Sequence, residues 1–277
     1  MTGVSWVEVA ARGYAVPQDL YPPDALDELL GMLGSENPEM RDTQAYSTLV
    51  TWTRAGHFDA VLRELGERAA LGLEDPSVLV RSFSALILGE VVQRDLEQPM
   101  VSAALGQSWL ERWRGWYPHE PDVRSHDPEV GWIHAVAHGA DTARAFALHP
   151  ATTGADLAMI LDTLTERLRS LPLHLNQTED DRLALAMVAV LSRPELEPPA
   201  IRQWLTEYQT LWTPVNFPLP PGPALAVRTL HSLYSLLHLG ATLDGVTLRP
   251  AHPLETLEAV QGTLQSFTPY LGDGQTA

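Results

Sequence analysis

His134 and His138 stand four residues apart, with Asp141 three further on. On a helix, with about 100° of rotation per residue, these three fall at about 0°, 40° and −20°, a single polar stripe. Histidines at i and i+4 can present two imidazoles to one Zn²⁺-like ion, and a carboxylate one turn later can ligate the ion or orient them. The sequence therefore predicts a helix beginning near Pro128, with His134, His138 and Asp141 as candidate ligands for one divalent metal ion. The segment before it supplies His119, Glu120, Asp122, Arg124, His126, Asp127 and Glu129. Glu120 and Asp122 are the candidate general bases, because Ala135 occupies the place where H-E-x-x-H enzymes carry their catalytic Glu. Arg124, Trp132 and, from further upstream, Arg81 are the candidate ligand-binding residues. The same stripe admits two other readings. One is a structural network in which the imidazoles and the carboxylate satisfy one another and Arg124; the other is acid–base chemistry without a metal.

Other polar groups carry weaker signals. Arg81 and Ser84 sit one turn apart in Arg81-Ser82-Phe83-Ser84, where Arg81 could hold an anion or pair with a carboxylate. Arg41-Asp42 with Tyr46 begins a helix. Thr178-Glu179-Asp180-Asp181-Arg182 has the composition of a helix start, with Thr178 at the cap. His231 and His238 lie seven apart on one helix face, and Trp109, Trp113 and Trp116 recur at helical spacing, as core residues do. No G-x-S-x-G elbow, no G-x-G-x-x-G after a strand and no EF-hand loop is present.

These residues need helices to position them, and the sequence supplies helices almost throughout. Proline- or glycine-marked breaks separate apolar stripes at helical period, from Leu26–Leu33 through runs over 99–116, 128–148, 153–171, 178–192, 198–212, 222–239 and 253–267. The one β-like stretch is Thr242 to Leu248. The expectation is an all-α chain, a single domain over 1–277 built as a curved array of antiparallel helix pairs, with a pair about every 40 residues as in HEAT and armadillo superhelices. The proline-rich segment from Thr213 to Pro223 reads as a rigid loop within that array.

Composition closes off several chemistries. All 18 basic residues among the 277 are arginine, and cysteine is absent. Lysine Schiff bases, Walker-type phosphate loops, thiol nucleophiles, disulfides and cysteine-ligated zinc are thereby excluded. With 35 acidic residues the net charge is −17, which argues against nucleic acid and anionic membranes as partners. No run reaches 18 uncharged apolar residues and no secretory leader pattern is found, so a cytoplasmic protein is expected.

In order along the chain come Arg41-Asp42…Ala45-Tyr46…Leu49…Trp52, Arg81-Ser82-Phe83-Ser84-Ala85-Leu86 and Glu120-Pro121-Asp122-Val123-Arg124. Gly131-Trp132…His134…Ala137-His138-Gly139-Ala140-Asp141 and Glu179-Asp180-Asp181-Arg182-Leu183-Ala184 follow. Together they resemble the bacterial family DUF2785 over roughly residues 25–240, with the tryptophan–histidine–aspartate segment the most specific part. Ser125 departs from the glycine expected after the acidic–arginine segment. The resemblance implies an all-helical domain and carries no activity. Two functions are expected from the whole reading. One is a polar His/Asp/Arg cleft that binds a divalent metal or a small ligand, with hydrolysis as the chemistry an ion there would support. The other is a non-catalytic helical scaffold for a protein or peptide partner, in which the His-Asp group is structural.

Overall fold

The computed structural model describes residues 2–214, 217–243 and 245–268; residues 215 and 216 of the proline-rich loop and residue 244 of the β-like stretch lie outside the described residues. The chain is all-α, and among the described residues the only strands are two short hairpins. It forms two compact units. The first comprises the residues up to Trp116 together with Glu120–His149, and the second comprises Tyr117–His119 and the residues from Pro150 onward.

The first unit contains α1 (Trp6–Ala11), α2 (Leu26–Met32), α3 (Ser47–Arg54), α4 (Leu62–Gly72), α5 (Val78–Glu97), α6 (Ala103–Trp116) and α7 (Ala135–Leu148). Pro22 and Pro23 open a 3-10 turn ahead of α2, where a fixed φ and a missing N–H cost nothing. The 20 residues of α5 are apolar on nearly every side, and Leu79, Phe83, Ile87, Leu88 and Val91 are all buried. A helix buried all round must run through the middle of its unit, and α5 contacts α3, α4 and α7. It lies close against α7 at Gly89, where an added Cβ would stand 3.4 Å from the Thr142 backbone. Thr142 Oγ1 donates from there to the Ala85 carbonyl at 2.6 Å.

The three tryptophans of α6 are buried, as their spacing predicts, and each indole N–H has an acceptor: Glu67, the Gly139 carbonyl and Glu120 in turn.

The second unit contains α8 (Gly154–Arg169), α9 (Glu179–Leu191), α10 (Pro198–Gln209), α11 (Pro221–Leu239) and α12 (Pro253–Phe267). Thr153 and Asp156 form a capping box at the start of α8. In α9 the acids expected in the first turn reach α11, with Asp180 paired to Arg228 at 3.2 Å and Asp181 accepting from Ser232 at 2.8 Å. Thr178 occupies the cap position of α9, but in the left-handed region at φ 69°, and its side chain makes no capping bond. The β-like stretch is a hairpin pairing Ala241–Leu243 with Val246–Leu248. No helix of the described residues is long and apolar enough to cross a membrane.

Candidate small-ligand site around His134 and His138

The helical run expected over 128–148 begins only at Ala135. Before it lies a short hairpin in which His126 pairs with Trp132 and Asp127 with Gly131. Asp127 shapes the turn, because its Oδ1 accepts from the Glu129 and Val130 backbone N–H groups at 2.8 and 3.3 Å. Gly131 has φ +76°, and a Cβ there would stand 3.0 Å from the Pro38 ring. A chain turning this sharply cannot be helix, so the Pro128 start is corrected to a hairpin. The Asp-Pro turn and Gly131 were the signal for it.

The Ser125 carbonyl then accepts from Ile133 N–H at 3.0 Å and from His134 N–H at 3.1 Å. Ser125 is not among the residues with positive φ, so its backbone makes no demand for glycine. His134 itself adopts φ 52°, ψ 28° as the residue that caps α7, and its carbonyl accepts from His138 N–H at 2.9 Å. His134 therefore stands outside the regular helix, and its ring is placed by a left-handed backbone that a non-glycine residue enters only at a cost.

A continuous series of rings results. Trp132 stacks on His134 with centroids 4.9 Å apart and planes 24° from parallel, and His126 meets Trp132 edge-on at 5.0 Å. His134 meets His138 at 5.7 Å, His138 meets Phe83 at 5.3 Å, and Phe83 meets Tyr46 at 5.7 Å. Both central imidazoles are buried while Trp132 is 42% exposed. The two histidines come together as expected. Asp141 lies half-buried on α7, and no group of three or more His, Asp or Glu among the described residues is placed to hold a metal ion.

The remaining candidates are ion-paired. Glu120 is buried and accepts from Arg81 Nε and Nη2 at 2.6 and 2.7 Å, from Trp116 Nε1 at 2.6 Å and from the Asp122 N–H at 2.9 Å. Arg81 Nη1 also donates to the Asp75 and Pro76 carbonyls, and the Glu120 hydrogen bonds hold the Arg81 guanidinium more firmly protonated than usual. Arg124 grips Asp122 through two bonds and Asp127 through a third at 2.6 Å, which lowers the Asp122 carboxyl below its ordinary range. Arg81 and Glu120 thus bind each other, and Arg124 braces the hairpin beside Trp132.

Three neighbours were not read from the sequence as site residues. A π-helical stretch, Glu39–Tyr46, precedes α3 and carries fully buried Arg41, whose guanidinium lies 5.0 Å over the Phe83 ring and donates to the Val130 carbonyl at 2.9 Å. Asp42 pairs with Arg41 at 2.7 Å, yet burial raises its carboxyl pKa against that attraction. Ser82, buried on α5, places Oγ 2.7 Å from His138 Nδ1 and in hydrogen-bond contact with the Ile133 carbonyl. The sequence signal was adjacency: Ser82 and Phe83 sit inside Arg81-Ser82-Phe83-Ser84, where the helical-face argument favoured Arg81 and Ser84 instead.

Residues 70–236 match a family model described as a protein of unknown function, DUF2785. The chain belongs to this family. The DUF2785 match includes Ser82, Glu120, Trp132, His134 and His138, while Arg41, Asp42 and Tyr46 lie ahead of it. No curated protein and no solved structure matches the chain.

The second unit has a concavity of its own between α8 and α10, about 390 Å³, whose lining includes Ala158, Asp162, Ala200, Gln203, Trp204 and Glu207. Burial, and then the charge of Glu207, raise the Asp162 carboxyl above its ordinary range.

Proposed function

We propose that the Trp132–His134–His138 cluster binds a small planar ligand, with Trp132 as the contact surface and the imidazoles as polar partners. The observation that carries this reading is Trp132 itself. A large aromatic ring is left 42% exposed on a braced hairpin and stacked on a histidine held in a left-handed conformation. Left-handed backbone at a non-glycine residue works against folding, and such strain concentrates at ligand clamps and active sites. The reading uses no metal ion. Hydrolysis has less support: Glu120 is committed to Arg81, and Asp122 is committed to Arg124.

The test compares the native chain with Trp132→Phe, using benzamidine, benzoate and benzamide as planar probes of different charge. A probe that binds the cluster changes the emission of the native protein and raises its melting temperature, by an amount equivalent to about 2.7 kcal/mol at a hundredfold excess over Kd. In Trp132→Phe the emission response is expected to vanish and the rise in melting temperature to shrink, because the smaller ring offers less stacking surface. Equal responses in the two proteins, or none to any probe, would overturn the assignment.

One observation favours the second reading, a scaffold for a protein or peptide. Leu239, Val246 and Leu254 in the second unit are 85%, 61% and 72% exposed. Replacing all three with serine while the chain still pulls down the same partners would remove that support.

A further inference from the structure

We infer that Ser82 is a positioning residue that fixes His138 as its Nδ1–H tautomer, leaving the lone pair on Nε2. Ser82 is fully buried, and its Oγ touches two groups, the Ile133 carbonyl and His138 Nδ1. A hydroxyl has one proton to give. The Ile133 carbonyl has none and can only accept, so the Ser82 proton lies on that side. The reverse assignment would press two oxygen lone pairs together in a site without bulk water, leaving a buried carbonyl without its donor. With its proton spent on Ile133, Ser82 Oγ faces His138 Nδ1 as an acceptor, and the 2.7 Å separation requires the hydrogen to be on nitrogen.

The arrangement follows from where the chain leaves the hairpin. Ile133 precedes the cap residue of α7, His134, so its carbonyl lies outside the helical hydrogen-bond pattern and takes its proton from a side chain of α5. The same hydroxyl then orients the imidazole one turn into α7. A serine–histidine pair invites reading as a nucleophile and its base, but the polarity here is opposite: the imidazole donates and the hydroxyl accepts. Ser82 is thereby an orienter of His138, and any group that meets Nε2, whether of the protein or of a ligand, must be a donor. The inference deepens the ligand-binding reading and rests on it only for its use; the tautomer is tested in the ligand-free protein, so the two can fail separately.

The experiment is long-range ¹H–¹⁵N correlation of the histidine rings in the uniformly ¹⁵N-labelled full chain, on the alkaline side of the ordinary histidine range. His138 signals are identified by their loss in His138→Gln. The expected spectrum has a protonated, pyrrole-type Nδ1 and a bare, pyridine-type Nε2, the reverse of the balance that free histidine prefers. Ser82→Ala removes the acceptor and should return His138 toward the Nε2–H form, whereas Ser82→Thr, which keeps a hydroxyl, should retain Nδ1–H. A pyridine-type Nδ1 in the native protein overturns the inference, as does a Ser82→Ala spectrum with His138 unchanged. If either variant fails to fold, the native spectrum alone still decides the tautomer.

Discussion

Glu120 accepts two hydrogen bonds from Arg81, one from Trp116 and one from the Asp122 backbone, with the carboxylate almost wholly out of water. Removing one partner of such a pair leaves the other charge buried without compensation, a change that costs about 3–5 kcal/mol. Glu120→Ala should therefore lower the unfolding free energy from denaturant titration by that much, and pairing it with Arg81→Met should recover part of the loss; a near-neutral Glu120→Ala would show that the pair is not buried in solution. Ser82 carries a second expectation, because its proton is given to a carbonyl and not to a base: a fluorophosphonate should leave it unlabelled. Glu28 carries the third. Its carboxylate accepts from Thr2 N–H, Thr2 Oγ1 and Trp6 Nε1, and the Thr2 backbone bond, followed by Trp6, holds its pKa below the usual carboxylate value. A lowered folded pKa means that this attachment is fully present above the ordinary glutamate range and is lost as pH falls through the lowered value. Hydrogen-exchange protection factors in α1, corrected for the intrinsic slowing of exchange in acid, should fall on acidification before those in α5 do, and Glu28→Gln should flatten that difference. A simultaneous loss of protection in both helices would contradict the assignment.

Among the elements, Thr178 separates what spacing can say from what it cannot. Acidic residues after a threonine correctly marked the start of α9, because first-turn charge and cap preference are local. The left-handed backbone at Thr178 left no trace in residue type, since a β-branched residue is the last choice for that region. Because its side chain makes no cap bond, Thr178→Gly should raise stability by about 1–2 kcal/mol, the cost of left-handed backbone for an L-residue. An unchanged or lowered melting temperature would mean that the threonine side chain does other work. His134 is the same device at α7, and there the error was larger. Helical period extended the stripe back to Pro128, while the Asp-Pro turn and Gly131, which end it, were outweighed by the i, i+4 histidines. The histidines still met, because the His134 carbonyl accepts from His138 N–H and keeps the two residues one turn apart. Between α4 and α6 a small residue matters in the opposite way: a Cβ on Gly66 would stand 2.3 Å from the Trp109 ring, so Gly66→Ala should cost about 1–3 kcal/mol and shift the tryptophan emission.

At the scale of the whole molecule, composition was informative where it concerned sums. Apolar period gave the all-α class, and the absence of lysine and cysteine removed whole chemistries. The pairing of Ser82 with His138 joins positions 56 residues apart and could not be read from any local pattern. Net charge is another sum, and its consequence can be argued through. If every one of the 18 arginines neutralised an acid, 17 of the 35 acidic residues would still repel one another. Partly exposed pairs such as Arg54–Glu90 and Arg68–Asp27 are worth about 0–1 kcal/mol each, so salt takes little from them. The buried Arg81–Glu120 pair is largely shielded from salt. Screening must then weaken repulsion more than attraction, since the Debye length falls from about 30 Å at 0.01 M to about 10 Å at 0.1 M ionic strength. The melting temperature should therefore rise with sodium chloride across that interval and level off above it. A fall would mean that the surface pairs form cooperative networks strong enough to outweigh 17 uncompensated charges.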